Sequence, residues 1–483
     1  MTALQLLILS LGAILAYAAA RCLYFLDFHP LAKFPGPKIA AVSNIWYAYH
    51  WLSGRYPWAT EDVLKKYVRI APNDLLFVTP QAFTDIYSPH VKNHETFCKT
   101  DINDRGDEHG GLLFERDPVR HRKVAKQMSP AFSSRSMKAK EPRLHKHIDF
   151  FVEKMKVVGY NGVDISMWCN WLAMDISADM AYNHEMHQMR DSFNAFTTIE
   201  QVSKRFPILG KFKYLFIPFS AVRSMKEMNQ TSREELQRRI SRKGNTEDLD
   251  LFEQLVPADG VVPSNPKEFR HLEMVATQLL FAGFEPISSW YFSTLLYLLK
   301  EPETLKILVS EIRGEFTSYD DIKPNALASF EYLNACLEES MRLFPSNNTG
   351  LPRVSPGSVV DGTHVPRGVH VQTSLFAATR SPRNFHDPLH FRPQRWLDAE
   401  HPSYDSKFSK DNLKAFLPFS QGPRLCPGKE IAWTQTRLFI AKVLWTFDIT
   451  KVTEKDLDFE KDFITYGFWV KPELIVRFVP RQR

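Results

Sequence analysis

One cysteine in this chain stands where its sulfur could hold a metal. The stretch Phe419-Ser420-Gln421-Gly422-Pro423-Arg424-Leu425-Cys426-Pro427-Gly428 sets a thiol between two glycines, with an arginine just before it. An apolar helical pattern follows at once through Ile431, Ala432, Leu438, Phe439, Val443 and Leu444. A thiol at a helix N-terminus feels the positive end of the dipole, which favours the thiolate and predicts a lowered pKa. Gly422 and Gly428 allow the backbone to approach something flat and large, and Phe419 adds an aromatic face. Arg424 can pair with an anionic group on that object. Haem, with an axial thiolate and paired propionates, meets all of these demands. An inert buried cysteine is the commoner case, but it leaves the glycines and the arginine unexplained.

Two further constellations lie upstream. Phe281-Ala282-Gly283-Phe284-Glu285-Pro286-Ile287-Ser288 sits inside the longest helical pattern, Phe269 to Leu299. A proline there removes one amide donor and frees the carbonyl four residues earlier, that of Ala282. Glu339-Ser340-Met341-Arg342 places a carboxylate and a guanidinium on one face of an amphipathic helix, Phe330 to Phe344. Alone, such a pair is usually a surface salt bridge of little worth.

Taken together, these motifs resemble the cytochrome P450 family. The cysteine stretch matches every fixed position of Phe-x-x-Gly-x-Arg-x-Cys-x-Gly. Glu339-x-x-Arg342 resembles the family's Glu-x-x-Arg motif, and Arg395 in Phe391-Arg392-Pro393-Gln394-Arg395-Trp396 fits its third partner, a structural triad. Ala282-Gly283-x-Glu285 is similar to the oxygen-activating segment, but Pro286 stands where the family usually has a proton-relaying threonine. The resemblance therefore makes Glu285, Ala282 and Pro286 the candidate catalytic positions, with protons coming from water on the Ala282 carbonyl and Glu285, or from a substrate hydroxyl. It adds His121 and Arg353 to Arg424 as candidate propionate partners, with Arg122 and Lys126 as substitutes for a missing arginine at Ala125. It assigns the substrate pocket to Phe114, Phe281, Phe284, Leu351 and Phe468.

The elements that must position these residues are partly legible. Ile70, Leu75, Leu76, Phe77 and Val78 lie in short strand-like runs over Arg69 to Thr79. Asp101 to Phe114 reads as a loop, and Pro118 to Met128 as a basic helix with proline near its start. Val354 to Thr373 alternates turn signals with short β-prone runs, and Tyr466-Gly467-Phe468-Trp469 reads as a hairpin tip or a packed turn. Arg205 to Phe219 is apolar and aromatic with interleaved lysines, either a core segment or a loop at a bilayer interface. Thr2 to Ala20 carries no charge, and about twenty helical residues span a bilayer core. Arg21, Lys33 and Lys38 follow it, predicting a cytosolic body. A cleaved signal peptide would want a basic n-region, which is lacking.

Length alone suggests about three domains, yet no linker or repeat interrupts the 483 residues. The expected organisation is an N-terminal anchor over 1–26, a proline-rich hinge over 27–40 containing Phe34-Pro35-Gly36-Pro37, and one catalytic domain over 41–483. Five scattered cysteines without CxxC spacing argue against a disulfide framework or a zinc site. The net charge of +6 is mild, with basic runs at 116–126 and 233–243. With no recognition motif beside them they do not indicate nucleic acid.

The resemblance implies a mainly α-helical fold with a minor β region and an N-terminal membrane helix. It implies haem b with Cys426 as the metal ligand, O2 as co-substrate, and electrons from NADPH through a cytochrome P450 reductase, with cytochrome b5 as a further donor. The expected location is the endoplasmic reticulum membrane. The wording of Ala377 to Pro388 is similar to fungal members, whose substrates include terpenoids, polyketides and alkaloids. Pro286 keeps open a reductase-independent isomerase or peroxide-using enzyme, and a non-enzymatic haem-binding membrane protein is a third reading.

Overall fold

A computed structural model describes residues 2–64, 67–88, 90–91, 94–101, 110–182, 202–206, 219–243, 251–253, 255–256 and 259–482. The uncharged N-terminal run forms α1 (Ala3–Leu23), closed at its start by Thr2 and Gln5, each side chain accepting the other's backbone N–H. A π-helical turn, Tyr24–Phe28, continues it. Together these make the one helix among the described residues that is long and apolar enough to cross a membrane, and none of it is buried.

The remaining helices are α2 (Lys38–Val42), α3 (Ile45–Leu52), α4 (Tyr56–Val63), α5 (Pro80–Tyr87), α6 (Pro118–Met128), α7 (Ser134–Val158), α8 (Ile165–Tyr182), α9 (Phe219–Ser241), α10 (Pro266–Lys300), α11 (Pro302–Glu315), α12 (Pro324–Leu327), α13 (Glu331–Leu343), α14 (Leu375–Thr379) and α15 (Lys429–Thr446). Their starts follow the chemistry of their first residues. Asp117 caps α6 by accepting the Val119 and Arg120 amides at 2.7 and 3.0 Å, with Pro118 in the first turn. Asn265 and Pro266 do the same for α10.

The strands are short: β1 (Tyr67–Ala71), β2 (Asp74–Phe77), β3 (His90–Val91), β4 (His94–Glu95), β5 (Cys98–Lys99), β6 (Val163–Asp164), β7 (Arg353–Val354), β8 (Ser358–Val360), β9 (Thr363–Val365), β10 (His370–Thr373), β11 (Phe447–Lys451), β12 (Ile464–Thr465), β13 (Trp469–Val470) and β14 (Ile475–Pro480). One mixed sheet runs β1-β2-β10-β7-β5, and a smaller one runs β11-β14-β6. β3–β4, β8–β9 and β12–β13 are hairpins. The molecule is mainly α with a minor β part.

The core is built around α10. Its pattern is apolar on nearly every face, so it is buried along most of its length against α8, α9, α13 and α15. The principal hydrophobic cluster runs from Leu31 through α10 to Phe478, and a smaller one gathers Tyr47, Trp51, Tyr56, Val68, Ile70 and Leu76 beside the first two strands. The apolar segment expected near a bilayer falls mostly at 207–218, outside the described residues. So does most of the loop at 101–114, apart from Asp101 and the turn at 110–114.

Of the two basic runs, most of the cations of 233–243 are paired with carboxylates inside or beyond it. Arg238 pairs with Glu235 at 2.6 Å, Arg239 with Glu253 at 2.5 Å, Lys243 with Glu253 at 2.7 Å and Arg233 with Glu273 at 3.5 Å. On α6, by contrast, Arg122, Lys123 and Lys126 are exposed along one surface.

Candidate active site

Cys426 lies at the entrance to α15, whose N-cap is Gly428. The loop before it is closed by the Cys426 amide donating to the Phe419 carbonyl at 2.9 Å. Two residues in this loop take left-handed backbone, Ser420 at φ 60° and Gly422 at φ 68°. A Cβ on Gly422 would lie 2.3 Å from the Tyr87 carbonyl oxygen, so this glycine is required by the end of α5. The Gly428 N–H donates to the cysteine sulfur, whereas Pro427 has no N–H to offer. The expected lowering of the thiol pKa is not found. Burial pushes the Cys426 thiol up, and the Gly428 amide offsets this only in part.

Four basic side chains converge near this loop. His121 on α6 is buried, and burial together with the charges of Arg424, Lys99 and Arg353 pushes its pKa down to about 3. Arg424 donates to the Glu115 carbonyl at 2.7 Å. Arg353 is buried in β7, its guanidinium 5.2 Å above the Tyr87 ring. Lys99 lies directly across from Arg353 in the β5–β7 ladder and donates to the Leu113 carbonyl. Arg122 and Lys126 do not join them. Both face outward on α6, because a helix turns residues one and five places after His121 away from its buried side. Sequence reading missed Lys99, since a two-residue strand leaves no periodic signal.

Tyr87 was also missed. Its hydroxyl donates to the Leu351 carbonyl at 3.0 Å and accepts from the Thr373 amide at 3.2 Å, its ring receives Arg353, and its carbonyl abuts Gly422. One side chain and its backbone thus fix Leu351, Arg353 and the cysteine loop relative to one another.

α10 carries the run from Phe281 to Ser288. Ala282 is exposed, with Gly283 and Pro286 half-buried beside it, in a run where Phe281, Phe284, Glu285 and Ile287 are buried. Ala282 and Pro286 share one helix face. Gly283 answers a packing demand, because a Cβ would fall 2.5 Å from the Ser177 hydroxyl of α8. That hydroxyl donates to the Leu280 carbonyl at 2.6 Å. Phe281 and Phe284 are buried, whereas Phe114, Leu351 and Phe468 are half-buried on three different loops.

α10 holds two of those loops. Gln278 accepts the Leu112 and Leu113 amides at 2.8 and 2.6 Å and donates to the Gly110 carbonyl at 2.8 Å, pinning the turn that ends in Phe114. Glu285 accepts the Ser289 hydroxyl at 2.8 Å and the Trp469 amide at 3.3 Å, the latter from the hairpin carrying Phe468. The Leu351 loop is held by Tyr87 instead.

Behind the cysteine loop, Glu339, Arg342 and Arg395 come together, their side chains wholly excluded from solvent. Arg342 makes a two-pronged contact with Glu339 at 2.8 and 2.8 Å, and Arg395 reaches it at 3.1 Å. The Trp396 indole at 2.9 Å and the Arg392 amide at 2.8 Å complete its shell. The two arginines hold the Glu339 carboxyl below its usual range despite burial. Their remaining donors go to the carbonyls of Thr379, Pro388, His390, His386 and Asp387 and, from Arg395, to the Asp411 carboxylate.

These residues fit a haem. The donor set offers one sulfur with an amide on it, a basic cluster drawn from α6, β5, β7 and the cysteine loop for anionic substituents, and a small-residue helix face. Comparison with known proteins agrees. The Cytochrome P450 family profile matches residues 73–475. The chain is 53% identical over 482 residues to the cytochrome P450 monooxygenase TwmD of Talaromyces wortmannii, covering 96% of this chain and 94% of that protein. It is 34% identical to BOA3 of Botryotinia fuckeliana, covering 97% and 95%, and 33% identical to poxC of Penicillium oxalicum, covering 96% and 92%, both also cytochrome P450 monooxygenases. With the motifs, the helical fold and this breadth of similarity in agreement, the chain belongs to the cytochrome P450 family.

Proposed function

We propose that this chain is a membrane-anchored haem-thiolate monooxygenase that oxidises a lipophilic small molecule, by hydroxylation or oxidative cyclisation, in fungal secondary metabolism. The observation that carries this reading is Cys426 at the start of α15, with the Gly428 amide on its sulfur and a buried basic cluster beside it. Haem b held there would supply oxygen activation, which an axial thiolate favours.

The chain's own residues would do the rest. Cys426 would ligate the iron, while Arg424, Arg353, His121 and Lys99 would hold the propionates. Phe281, Phe284, Phe114, Leu351 and Phe468 would exclude water and orient an apolar substrate. Pro286 has no hydroxyl to relay a proton. The Ala282 carbonyl, left without its helical donor, would hold a water in that role, or a substrate hydroxyl would serve.

Electrons would come from NADPH through a reductase, with cytochrome b5 as a possible second donor, docking on the exposed Arg122, Lys123 and Lys126. Such docking should weaken with salt. Residues 1–26 would anchor the protein in the endoplasmic reticulum membrane, with 27–40 as the joint and 41–483 as the cytosolic catalytic domain. The positive residues after α1 support that orientation.

The test is reconstitution of the full chain with reductase in lipid, offering small terpenoid and polyketide substrates. The reading expects a thiolate-type reduced-CO spectrum, lost in Cys426→Ala, and product that requires NADPH. Pro286 favours one rival, a reductase-independent isomerase. Isomerisation of a peroxide substrate without NADPH or reductase, with no product from substrate, O2 and NADPH, would establish that rival and overturn the monooxygenase.

A further inference from the structure

The hairpin that carries Phe468 is tied to α10 at two points that flank Pro286. Trp469 donates its amide to Glu285 Oε1 at 3.3 Å. Two residues on, Lys471 is buried and donates from Nζ to the Ser288 hydroxyl at 2.6 Å. The Ser288 hydroxyl in turn donates to Asn170 Oδ1 on α8. Ser289 donates to the same Glu285 oxygen at 2.8 Å, which orients the carboxylate toward the hairpin.

The rest of the hairpin is equally constrained. Its β12 residue Thr465 donates to the Phe468 carbonyl at 3.0 Å, its turn uses Gly467 at φ 91°, and the Trp469 indole donates to the Pro345 carbonyl at 3.0 Å. Trp469 is almost fully buried among Phe344, Trp58 and Phe459. Phe468, beside it at the tip, is half-buried.

We infer that Glu285 is a positioning residue that sets where the hairpin tip, and with it Phe468, stands over the pocket. This inference rests on the haem-thiolate reading of the site but assigns Glu285 a different task from proton supply. The bond it needs is an acceptor for an amide, which glutamine supplies as well as glutamate. A proton carrier needs an ionisable group, which glutamine lacks. Tip position then decides how much room a bulky ligand has, while a small ligand at the iron is indifferent to it.

The test compares wild type, Glu285→Gln and Glu285→Ala as full-length haem-loaded protein. Amide exchange is followed in the peptide covering 464–471, and imidazole and 4-phenylimidazole binding is followed by the Soret shift. The inference expects Glu285→Gln to match wild type in both readouts. Glu285→Ala should exchange the Trp469 amide about tenfold faster, as loss of one buried hydrogen bond implies. Its 4-phenylimidazole affinity should change severalfold with imidazole affinity unmoved. Unchanged exchange in Glu285→Ala would overturn the inference, as would equal loosening in Glu285→Gln. If the alanine variant does not fold, Glu285→Gln decides alone: a wild-type tip supports positioning, and a loosened one refutes it. Absence of any imidazole shift in wild type would instead count against the haem reading and leave the exchange comparison intact.

Discussion

Lys99 shows how charge can gather where no motif announces it. It reaches the basic cluster only because β5 pairs with β7 and sets it opposite Arg353. Arg353 and Arg424 are legible from the sequence because each follows a recognisable phrase, and His121 because it falls on a patterned helix. Arg122 and Lys126 look equally suitable in one dimension and fail in three, since α6 turns them to solvent. The two outcomes separate in one experiment. Lys99→Gln should accelerate haem transfer to apomyoglobin by about 5- to 20-fold, the worth of one charge-assisted hydrogen bond. Arg122→Gln should leave the transfer rate unchanged. The glycines teach a related lesson. Gly422 and Gly283 belong to the cofactor and oxygen signatures, yet their space is claimed by Tyr87 and Ser177. The sequence announces that no side chain fits, and only the packing says what it would strike.

At the scale of elements, the long signals survive translation into structure and the short ones do not. The apolar pattern from Phe269 to Leu299 became α10 with a few residues added at each end, and the 330–344 pattern became α13. Both are many turns of one period. The sheet partners are two to six residues long, and their pairing across the chain, such as β2 beside β10, is set by tertiary context. The Glu339–Arg342–Arg395 network sits between these cases. Its members were legible, but its carbonyl acceptors at 379–390 were not, because backbone groups carry no sequence label. Those acceptors explain why the network should matter to folding. Arg395→Leu removes one partner of a fully buried carboxylate and should cost about 3–5 kcal/mol, read as a lowered unfolding midpoint. The contribution also has a pH sign. Glu339 has a folded pKa below its usual value, so its stabilisation is complete above the ordinary carboxylate range. It is lost as pH falls through the lowered folded value. The acid limb of a stability profile should therefore flatten in Glu339→Gln, and an unchanged limb would place acid sensitivity elsewhere.

For the molecule as a whole, the joint between anchor and body is where composition and structure diverge most usefully. Phe34-Pro35-Gly36-Pro37 reads as a hinge, but it is seated on β1. The Arg69 amide donates to the Pro35 carbonyl at 2.7 Å, and a Cβ on Gly36 would lie 2.4 Å from the Arg69 carbonyl oxygen. The Arg69 side chain is buried, with bonds to the Phe25 carbonyl at 2.8 Å, the Pro72 carbonyl at 2.7 Å and His29 Nδ1 at 3.2 Å. One guanidinium thus ties the last turn of the anchor to the first sheet, and burial lowers its pKa without making it neutral at any ordinary pH. Exposed apolar residues on α2 and α3, Ile39, Ile45, Tyr49 and Leu52, follow directly. A fixed joint would hold that surface at one height against the bilayer, whereas a flexible one would let it wander. Arg69→Met keeps the stem and removes the donors, leaving the Phe25 and Pro72 carbonyls to find water. In lipid nanodiscs, trypsin should then cut after the exposed Lys33 about tenfold faster than in wild type, consistent with the loss of bonds worth about 1–3 kcal/mol. Membrane association should be unchanged, because the substitution leaves intact α1, the helix long and apolar enough to cross a membrane. Equal cleavage in both proteins would show that the proline–glycine contacts with β1 hold the joint without the arginine.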